Sequence, residues 1–261
     1  MGAKDPDDST GSGISRSDAE ALALIASAVA QQAAPPPATL RTRIMAQARE
    51  RTLSYVASHA GIWLPVSAGV DAKALYLDSA DRATTRLLRL APSTPLPDRP
   101  LVGSRGVYVL GGALGEGQDV LTEGDFVEER AESGWRATDQ GALVLEFGST
   151  VTGSDGVVRR VNDAKWIVPF PGARLRPLRG AHGAPDEAFV LDMAPRSSLA
   201  DHDHSGLEEL FVLRGSCLVE GQTMTEGDYH RAAAGTHHHT TTTETGCQLI
   251  VVVRDLSRLA A

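Results

Sequence analysis

Hydrophobic residues follow two different patterns on either side of Trp63. Before it they recur at helical spacing: Leu22, Ile25 and Val29 fall on one stripe, and a weaker stripe follows over residues 39–58. After it, short runs of Val, Leu, Tyr and Phe alternate with Gly, Pro and Asp turns, which is typical of β-strands. The pattern therefore predicts a mainly β protein preceded by a short helical segment.

The β region repeats itself at a constant offset of 103 positions, which separates Trp63 from Trp166. The stretch VYVLGG, from Val107, aligns at the same offset with LFVLRG, from Leu210. TEGDF aligns with TEGDY in the same way, from Thr122 and Thr225. We therefore expect two tandem copies of one β domain, each a small barrel or jelly roll.

These patterns predict four segments along the chain. A flexible acidic tail covers residues 1–16, and the helical segment covers residues 17–60. The first β copy spans residues 61–152 and the second spans residues 160–256.

Composition and charge exclude several classes of protein. The formal net charge of −8 argues against nucleic acid as a partner, because phosphate binding needs clustered Lys and Arg. No apolar run approaches the roughly 20 residues that span a bilayer, so we expect no membrane partner. Two cysteines, Cys217 and Cys247, do not form a disulfide framework, and a reducing cytoplasm is the simplest compartment.

The second copy carries a candidate metal site in the stretch HDHSGLEELFVLRG. His202, His204 and Glu208 share one face if the segment is extended, because strand side chains alternate with period two. A third imidazole is available in the run HHH at residues 237–239. This donor set suits one divalent transition metal, with Zn, Fe, Mn and Ni as alternatives.

These residues resemble the two cupin motifs. The first, H-x-H-x3-E-x6-G, is matched by four residues: His202, His204, Glu208 and Gly215. Counting along the second motif places its glycine at Gly235 and its metal-binding histidine at His238, although Ala233 stands where the motif has proline. His237 and His239 remain alternatives for that ligand. The resemblance implies tandem cupins, or a bicupin, with a metal held by His202, His204, Glu208 and His238.

Further stretches, such as GDY and GCQLIVV, resemble the ChrR-like cupins over about residues 63–253. Upstream, AAPPPATLRTRIMAQA resembles the proline-rich joint and last helix of anti-sigma domains. The likeness implies a regulator or sensor in transcription, with a sigma factor and a small molecule as partners. The alternative is an Fe(II)-dependent dioxygenase of the acetylacetone-cleaving type. The zinc ligands of an anti-sigma domain are missing, since no cysteine precedes Cys217 and no histidine precedes His59.

The first copy lacks the metal ligands. The offset places four other residues at the ligand positions: Arg99, Leu101, Arg105 and Trp135. We therefore expect no metal in this copy. Three alternatives are open for Arg99 and Arg105: they bind an anion, they pair with a carboxylate of the other domain, or they are solvated surface arginines.

Three further expectations concern neighbouring parts of the second copy. His230, after GDY, is expected at the surface. Glu209 is expected to point away from the metal and to form a salt bridge. The two barrels are expected to pack on one another, or to form a homodimer, through sheet edges.

Overall fold

The computed structural model describes residues 53–77, 84–97, 105–129, 134–148, 157–163, 165–180 and 186–254. Within these ranges β-strands predominate, and the described helical structure is a short 3₁₀ turn at Val161–Asp163. The mainly β prediction is confirmed. The predicted tail and most of the predicted helical segment lie outside the described residues.

The first barrel is built on an eight-stranded antiparallel sheet. Its strands are β2 (Leu64–Ser67), β3 (Val70–Leu77), β4 (Thr84–Leu90), β5 (Arg105–Glu116), β6 (Asp119–Thr122), β7 (Phe126–Glu129), β8 (Arg136–Gly148) and β9 (Val157–Arg159). They lie in the order β2-β3-β4-β8-β5-β7-β9, and β6 pairs with β5.

The second barrel repeats this arrangement with more strands. They are β1 (Leu53–Val56), β10 (Ile167–Phe170), β11 (Ala173–Arg179), β12 (Asp186–Met193), β13 (Ser197–Leu199), β14 (His202–Asp203), β15 (Leu207–Val219), β16 (Gln222–Thr225), β17 (Tyr229–Ala232), β18 (His237–His238), β19 (Thr241–Thr243) and β20 (Cys247–Arg254). The main order is β1-β17-β15-β20-β12-β11-β10, with β13, β16 and β19 branching from it. Strands β14 and β18 form a separate two-stranded sheet.

Each barrel takes its edge strand from the segment that precedes the other barrel. Strand β1, at the start of the described chain, pairs with β17 of the second barrel. Strand β9, in the linker, pairs with β7 of the first barrel. The helix predicted to continue to residue 58 is therefore wrong at its end, because residues 53–56 form this exchanged strand.

The two barrels close the same turns with the same hydrogen bonds. The Val109 amide donates to the Asp125 carbonyl at 3.0 Å, and the Val212 amide donates to the Asp228 carbonyl at the same distance. The two aspartate carboxylates also fix the exchanged segments: Asp125 accepts the Val161 amide at 2.7 Å, and Asp228 accepts the Ser58 amide at 2.7 Å. The repeat in the sequence is thus a repeat in the fold.

Gly112 and the motif glycine Gly215 occupy matching places on β5 and β15. Both have positive φ, 69° and 76°. A Cβ on either would lie 2.2 Å from a backbone carbonyl, that of Gly141 or Gly246. Glycine is required at both positions because a side chain would overlap the neighbouring chain.

The apolar core falls into three clusters of buried residues. One fills the first barrel around Leu88 and Val144, and another fills the second around Val212 and Leu249. The third joins the barrels, since it contains Tyr108 and Phe147 from the first together with residues such as Tyr229 of the second. The barrels therefore pack through the faces of their sheets, and the expectation that they pack through edges is wrong.

Candidate metal centre

Four side chains from three places in the second barrel converge at one point. His202 and His238 are cross-strand partners in the two-stranded sheet of β14 and β18. His204 follows β14, and its backbone is held by hydrogen bonds to Thr236 and Gly235. Glu208 lies near the start of β15. The short sheet and β15 thus bring together the four residues that the sequence predicted, and His238 is the member of the HHH run that joins them.

The spacing of their donor atoms is that of neighbouring metal ligands. One potential ligand atom from each of the four residues can be chosen so that all lie within 4.8 Å of one another. Glu208 Oε1 is 3.3 Å from His204 Nε2 and 3.3 Å from His238 Nδ1. Metal–ligand bonds of about 2.1 Å place adjacent donors about 3.0–3.4 Å apart around a tetrahedral or octahedral centre. The site therefore has the dimensions of a metal centre.

The outer nitrogens of two histidines are fixed by hydrogen bonds, which turns their inward Nε2 atoms toward Glu208. His202 Nδ1 lies 3.0 Å from the Ala200 carbonyl, which can only accept, so Nδ1 carries a proton. Thr236 Oγ1 donates to the Ala233 carbonyl at 2.6 Å and accepts from His204 Nδ1 at 3.0 Å. His204 Nε2 is buried and lies 3.3 Å from Glu208 Oε1. A histidine whose outer nitrogen donates to an oxygen can bind a metal through its inner nitrogen, so both residues fit a metal.

His230 is buried beside the centre, and the prediction that it lies at the surface is wrong. Its Nε2 lies 2.9 Å from His238 Nε2, on the side of the His238 ring away from Glu208. It faces inward because β17 pairs it with Leu210, whose side chain lines the barrel cavity. The 103-residue offset could have predicted the burial of His230, since it aligns this residue with Val127, a core residue of the first barrel.

Burial and hydrogen bonding shift three pKa values at this centre. The hydrogen bond to Glu208 raises the pKa of His202 to about 9, against an opposing effect of burial. Burial would raise the pKa of Glu208, but hydrogen bonds from the three histidines hold it well below its usual range. Burial, reinforced by the charge of His238, lowers the pKa of His230 to about 4. The protein thus favours an ionised Glu208 and a neutral His230, which suit a metal centre, and a protonated His202, whose Nε2 proton a metal would have to displace.

The residues next to the ligands point elsewhere. Glu209 forms an ion pair with Arg254 at 2.7 Å and accepts the Tyr229 hydroxyl at 2.6 Å, as the predicted salt bridge requires. His237 bonds to Asp203 at 2.9 Å, and His239 bonds to Glu220 at 3.1 Å. Both histidines are exposed and lie outside the cluster of four.

A cavity of about 860 Å³ lies next to the cluster, and His202, Glu208 and His238 form part of its wall. Most of the remaining lining is apolar: Phe170, Leu175, Phe189, Leu191, Leu199, Leu210 and Val251. Polar groups come from residues such as Ser198 and Thr241, and from Asp201, which accepts the Thr240 hydroxyl at 2.6 Å. No lysine or arginine is found among these described lining residues. The cavity therefore suits a largely apolar molecule that presents an oxygen atom to the metal.

The matching place in the first barrel holds an ion-pair network. Arg105, at the position of Glu208, is buried and hydrogen-bonds to Glu129, to Glu146 at 3.2 Å and to the Pro97 carbonyl at 2.9 Å. Trp135, at the position of His238, is buried in the core. Of the alternatives predicted for Arg105, the surface arginine is wrong, and its carboxylate partners belong to its own barrel. Arg99 and Leu101 lie outside the described residues.

Solved structures with the same architecture include several bicupin-sized proteins. A protein from Nostoc punctiforme called a "putative dioxygenase" has a TM-score of 0.64 at 17% identity, covering 79% of this chain and 84% of that one. YlbA from E. coli has a TM-score of 0.60 at 14% identity, with coverages of 77% and 90%. Oxalate decarboxylase from Lactobacillus farciminis has a TM-score of 0.54 at 11% identity, with coverages of 77% and 86%. At these identities the likeness shows the fold alone.

Two further findings bear on identity. No curated protein matches this chain, and within the described residues no helix is long and apolar enough to cross a bilayer. The sequence model described as the ChrR cupin-like domain matches the chain twice, over residues 52–146 and 154–257. The first match begins next to β1 and the second just before β9, so each includes the strand that its segment contributes to the other barrel. This protein belongs to the ChrR cupin-like family.

Proposed function

We propose that the second cupin holds one divalent transition metal and binds a small, largely apolar molecule beside it. His202, His204, Glu208 and His238 would hold the metal. The observation that carries this proposal is that one donor atom from each of these four residues lies within 4.8 Å of the others, with His204 Nε2 buried and turned toward Glu208. Zn, Fe, Mn and Ni all accept this donor set.

A metal bound there would supply a Lewis acid, or a redox centre if it is iron or manganese. Residues of the chain orient the ligand rings and line the cavity. Ala200 and Thr236 orient two ligand rings, and His230 hydrogen-bonds to a third. Phe189 and Leu191 are among the apolar residues that line the cavity and favour an apolar ligand over water.

We propose that this centre serves a regulator, in which a ligand or oxidant at the metal changes the binding of a sigma factor. Membership of the ChrR cupin-like family supports this role. The segment that resembles an anti-sigma joint, at residues 33–48, would carry the partner surface.

The alternative is an Fe(II)-dependent dioxygenase that cleaves a 1,3-diketone or a related acid. The apolar cavity next to three histidines and a carboxylate supports it, because a chelating diketone would fit such a lining. The "putative dioxygenase" from Nostoc punctiforme shares the fold.

Metal content tests the shared part of both functions. The native chain, purified without chelators, should contain about one metal per chain by elemental analysis, and His202→Ala should contain almost none. His239→Ala is the matched control, since this histidine is in the same HHH run but bonds to Glu220. Native protein that stays metal-free after reloading would contradict the proposal.

Two assays then separate the regulator from the enzyme. Oxygen uptake by the iron-loaded protein with a 1,3-diketone, lost in His202→Ala, would establish the dioxygenase. Co-purification with a sigma factor, released when the metal is removed, would establish the regulator. If neither is observed while metal binds normally, both finer functions are wrong and the metal centre stands.

A further inference from the structure

A buried arginine in the second barrel lacks a counter-charge. Arg176, on β11, is 4% exposed and forms no ion pair with any described residue. Its Nη2 donates to the Gly124 carbonyl at 3.0 Å and lies 3.4 Å from the Tyr108 hydroxyl. Its Nε and Nη1 are buried without a hydrogen-bond partner. A buried charge with two unused donors is unfavourable unless a ligand completes it.

The equivalent residue in the first barrel hydrogen-bonds to two backbone carbonyls. The 103-residue offset aligns Arg176 with Lys73 on β3, which is also buried. The Lys73 ammonium donates to the Ser58 carbonyl at 2.8 Å and to the Ala57 carbonyl at 3.4 Å. The fold can therefore satisfy a cation at this position from its own backbone, and in the second barrel it does so only in part.

Arg176 lines a cavity of about 450 Å³ between the linker and β11. Arg159 and Lys165 also line it, and neither forms an ion pair with a described residue. Asp163 is the one carboxylate among the described lining residues. The cavity is thus strongly cationic in a chain whose net charge is −8.

Two nearby acidic groups outside the cavity are already engaged. Asp125, which follows Gly124, accepts the Val161 and Thr122 amides and lies 3.8 Å from Arg160. Arg160 also bonds to Asp119 at 2.9 Å, so its own charge is compensated. Three cations, Arg159, Lys165 and Arg176, therefore share the cavity with a single lining carboxylate of the described chain, Asp163, and the net charge of the cavity is positive.

We infer that this linker cavity is a second ligand site, which binds the oxyanion group of a small molecule, a phosphate or a carboxylate. Guanidinium and ammonium groups bind such oxyanions through charge-assisted hydrogen bonds. Val158 and Ile167, which also line the cavity, would contact an apolar part of the ligand. The site is separate from the metal centre and independent of the function proposed for it.

Calorimetry on the full chain tests the site, with inorganic phosphate and succinate as probes at constant ionic strength. Binding of phosphate alone identifies a phosphate site, and binding of succinate alone identifies a carboxylate site. The double substitution Arg159→Ala, Lys165→Ala should weaken the affinity about tenfold or more, which corresponds to the loss of about 1.4 kcal/mol. Arg89→Gln is the matched control, because this exposed arginine packs on Trp63, away from the cavity.

Two results would overturn the inference: no binding of either probe to the native chain, or equal binding by the double variant. His202→Ala should bind the probe as the native chain does. Loss of binding in that variant would show that the anion binds at the metal centre, and would overturn the linker site.

Arg176→Met provides a second, structural test. If the Arg176 guanidinium lacks a counter-charge in the absence of anion, the variant without anion should unfold at the same or a higher temperature than the native chain. The variant should also lose the rise in Tm that the anion causes in the native chain. A fall of several degrees would show instead that Arg176 is satisfied within the native fold, and would contradict the inference.

Discussion

The two barrels share one arrangement of strands but differ in the residues that fill their interiors. In the second, three histidines and Glu208 converge beside an apolar cavity. In the first, Arg105 stands at the position of Glu208 and pairs with Glu129 and Glu146, and Glu146 also bonds to Arg86 at 2.7 Å. Trp135 replaces His238 in a closely packed core. A barrel with other residues at these ligand positions must still balance its buried charges, here with arginines and glutamates.

The difference shows that buried charged groups can be compensated either by other side chains of the protein or by a bound ligand. The network around Arg105 contains both signs of charge and needs nothing further. The second barrel gathers three histidines around one carboxylate, Glu208, a cluster that the proposed metal would complete. The predictions below test this contrast in order of decreasing effect.

Removing Arg105 should cause the largest loss of stability. Arg105→Met removes the buried positive charge that Glu129 and Glu146 share and leaves Glu146 only its ion pair with Arg86, so the free energy of unfolding should fall by about 3–5 kcal/mol. Urea denaturation measures it, and Arg89→Met, at an exposed arginine of the same barrel, should cost less than about 1 kcal/mol. Equal losses in the two variants would contradict the role of the buried network.

Removing the metal should destabilise the second barrel alone. A metal present at about 100 to 1,000 times its Kd contributes about 3–4 kcal/mol to the free energy of unfolding. Hydrogen exchange after chelation should show faster exchange in β14 and β18, with β5 and β7 unchanged. His204→Ala should be insensitive to the chelator, and slow exchange in β14 after metal removal would contradict the prediction.

The matching glycines should be equally intolerant of a side chain. Gly112→Ala and Gly215→Ala should each lower the free energy of unfolding by about 2–3 kcal/mol, because positive φ and a carbonyl contact both penalise the methyl group. Gly117→Ala is the control, since Gly117 has φ of 60° but open space around its Cβ, and it should lose only about 1 kcal/mol. Unequal losses at Gly112 and Gly215 would show that the scaffolds differ.

The smallest effect concerns the residue behind His238. His230→Phe keeps the ring but removes the hydrogen bond to His238, so metal affinity should fall about 10- to 100-fold while one metal still binds. Competition with a chromophoric chelator measures the affinity. Val127→Ala, at the matching position of the first barrel, is the control, and an unchanged affinity in His230→Phe would reduce His230 to a packing role.

Local patterns in the sequence predicted much of this architecture. The offset of 103 residues predicted the repeated β domain, and even numbering placed His202, His204 and Glu208 on one face. The repeat succeeds because copies of one sequence pattern fold alike, but the grouping of the three ligands is right for a different reason: the chain bends at residues 205–206, between β14 and β15, so no single strand carries them. The burial of His230 is indicated by its alignment with Val127, a core residue, and not by its local position after GDY.

The sequence by itself determined two β copies, the residues of the metal cluster in the second and their replacement in the first. Only the tertiary structure decided which barrel each edge strand joins, because backbone hydrogen bonds between strands are the same for every side chain. It also decided which buried charges meet: Arg105 finds Glu129 and Glu146, while Arg176, equally buried, finds no carboxylate among the described residues. Burial and pairing depend on neighbours distant in sequence, so neither charge pattern nor motif spacing could distinguish the two arginines.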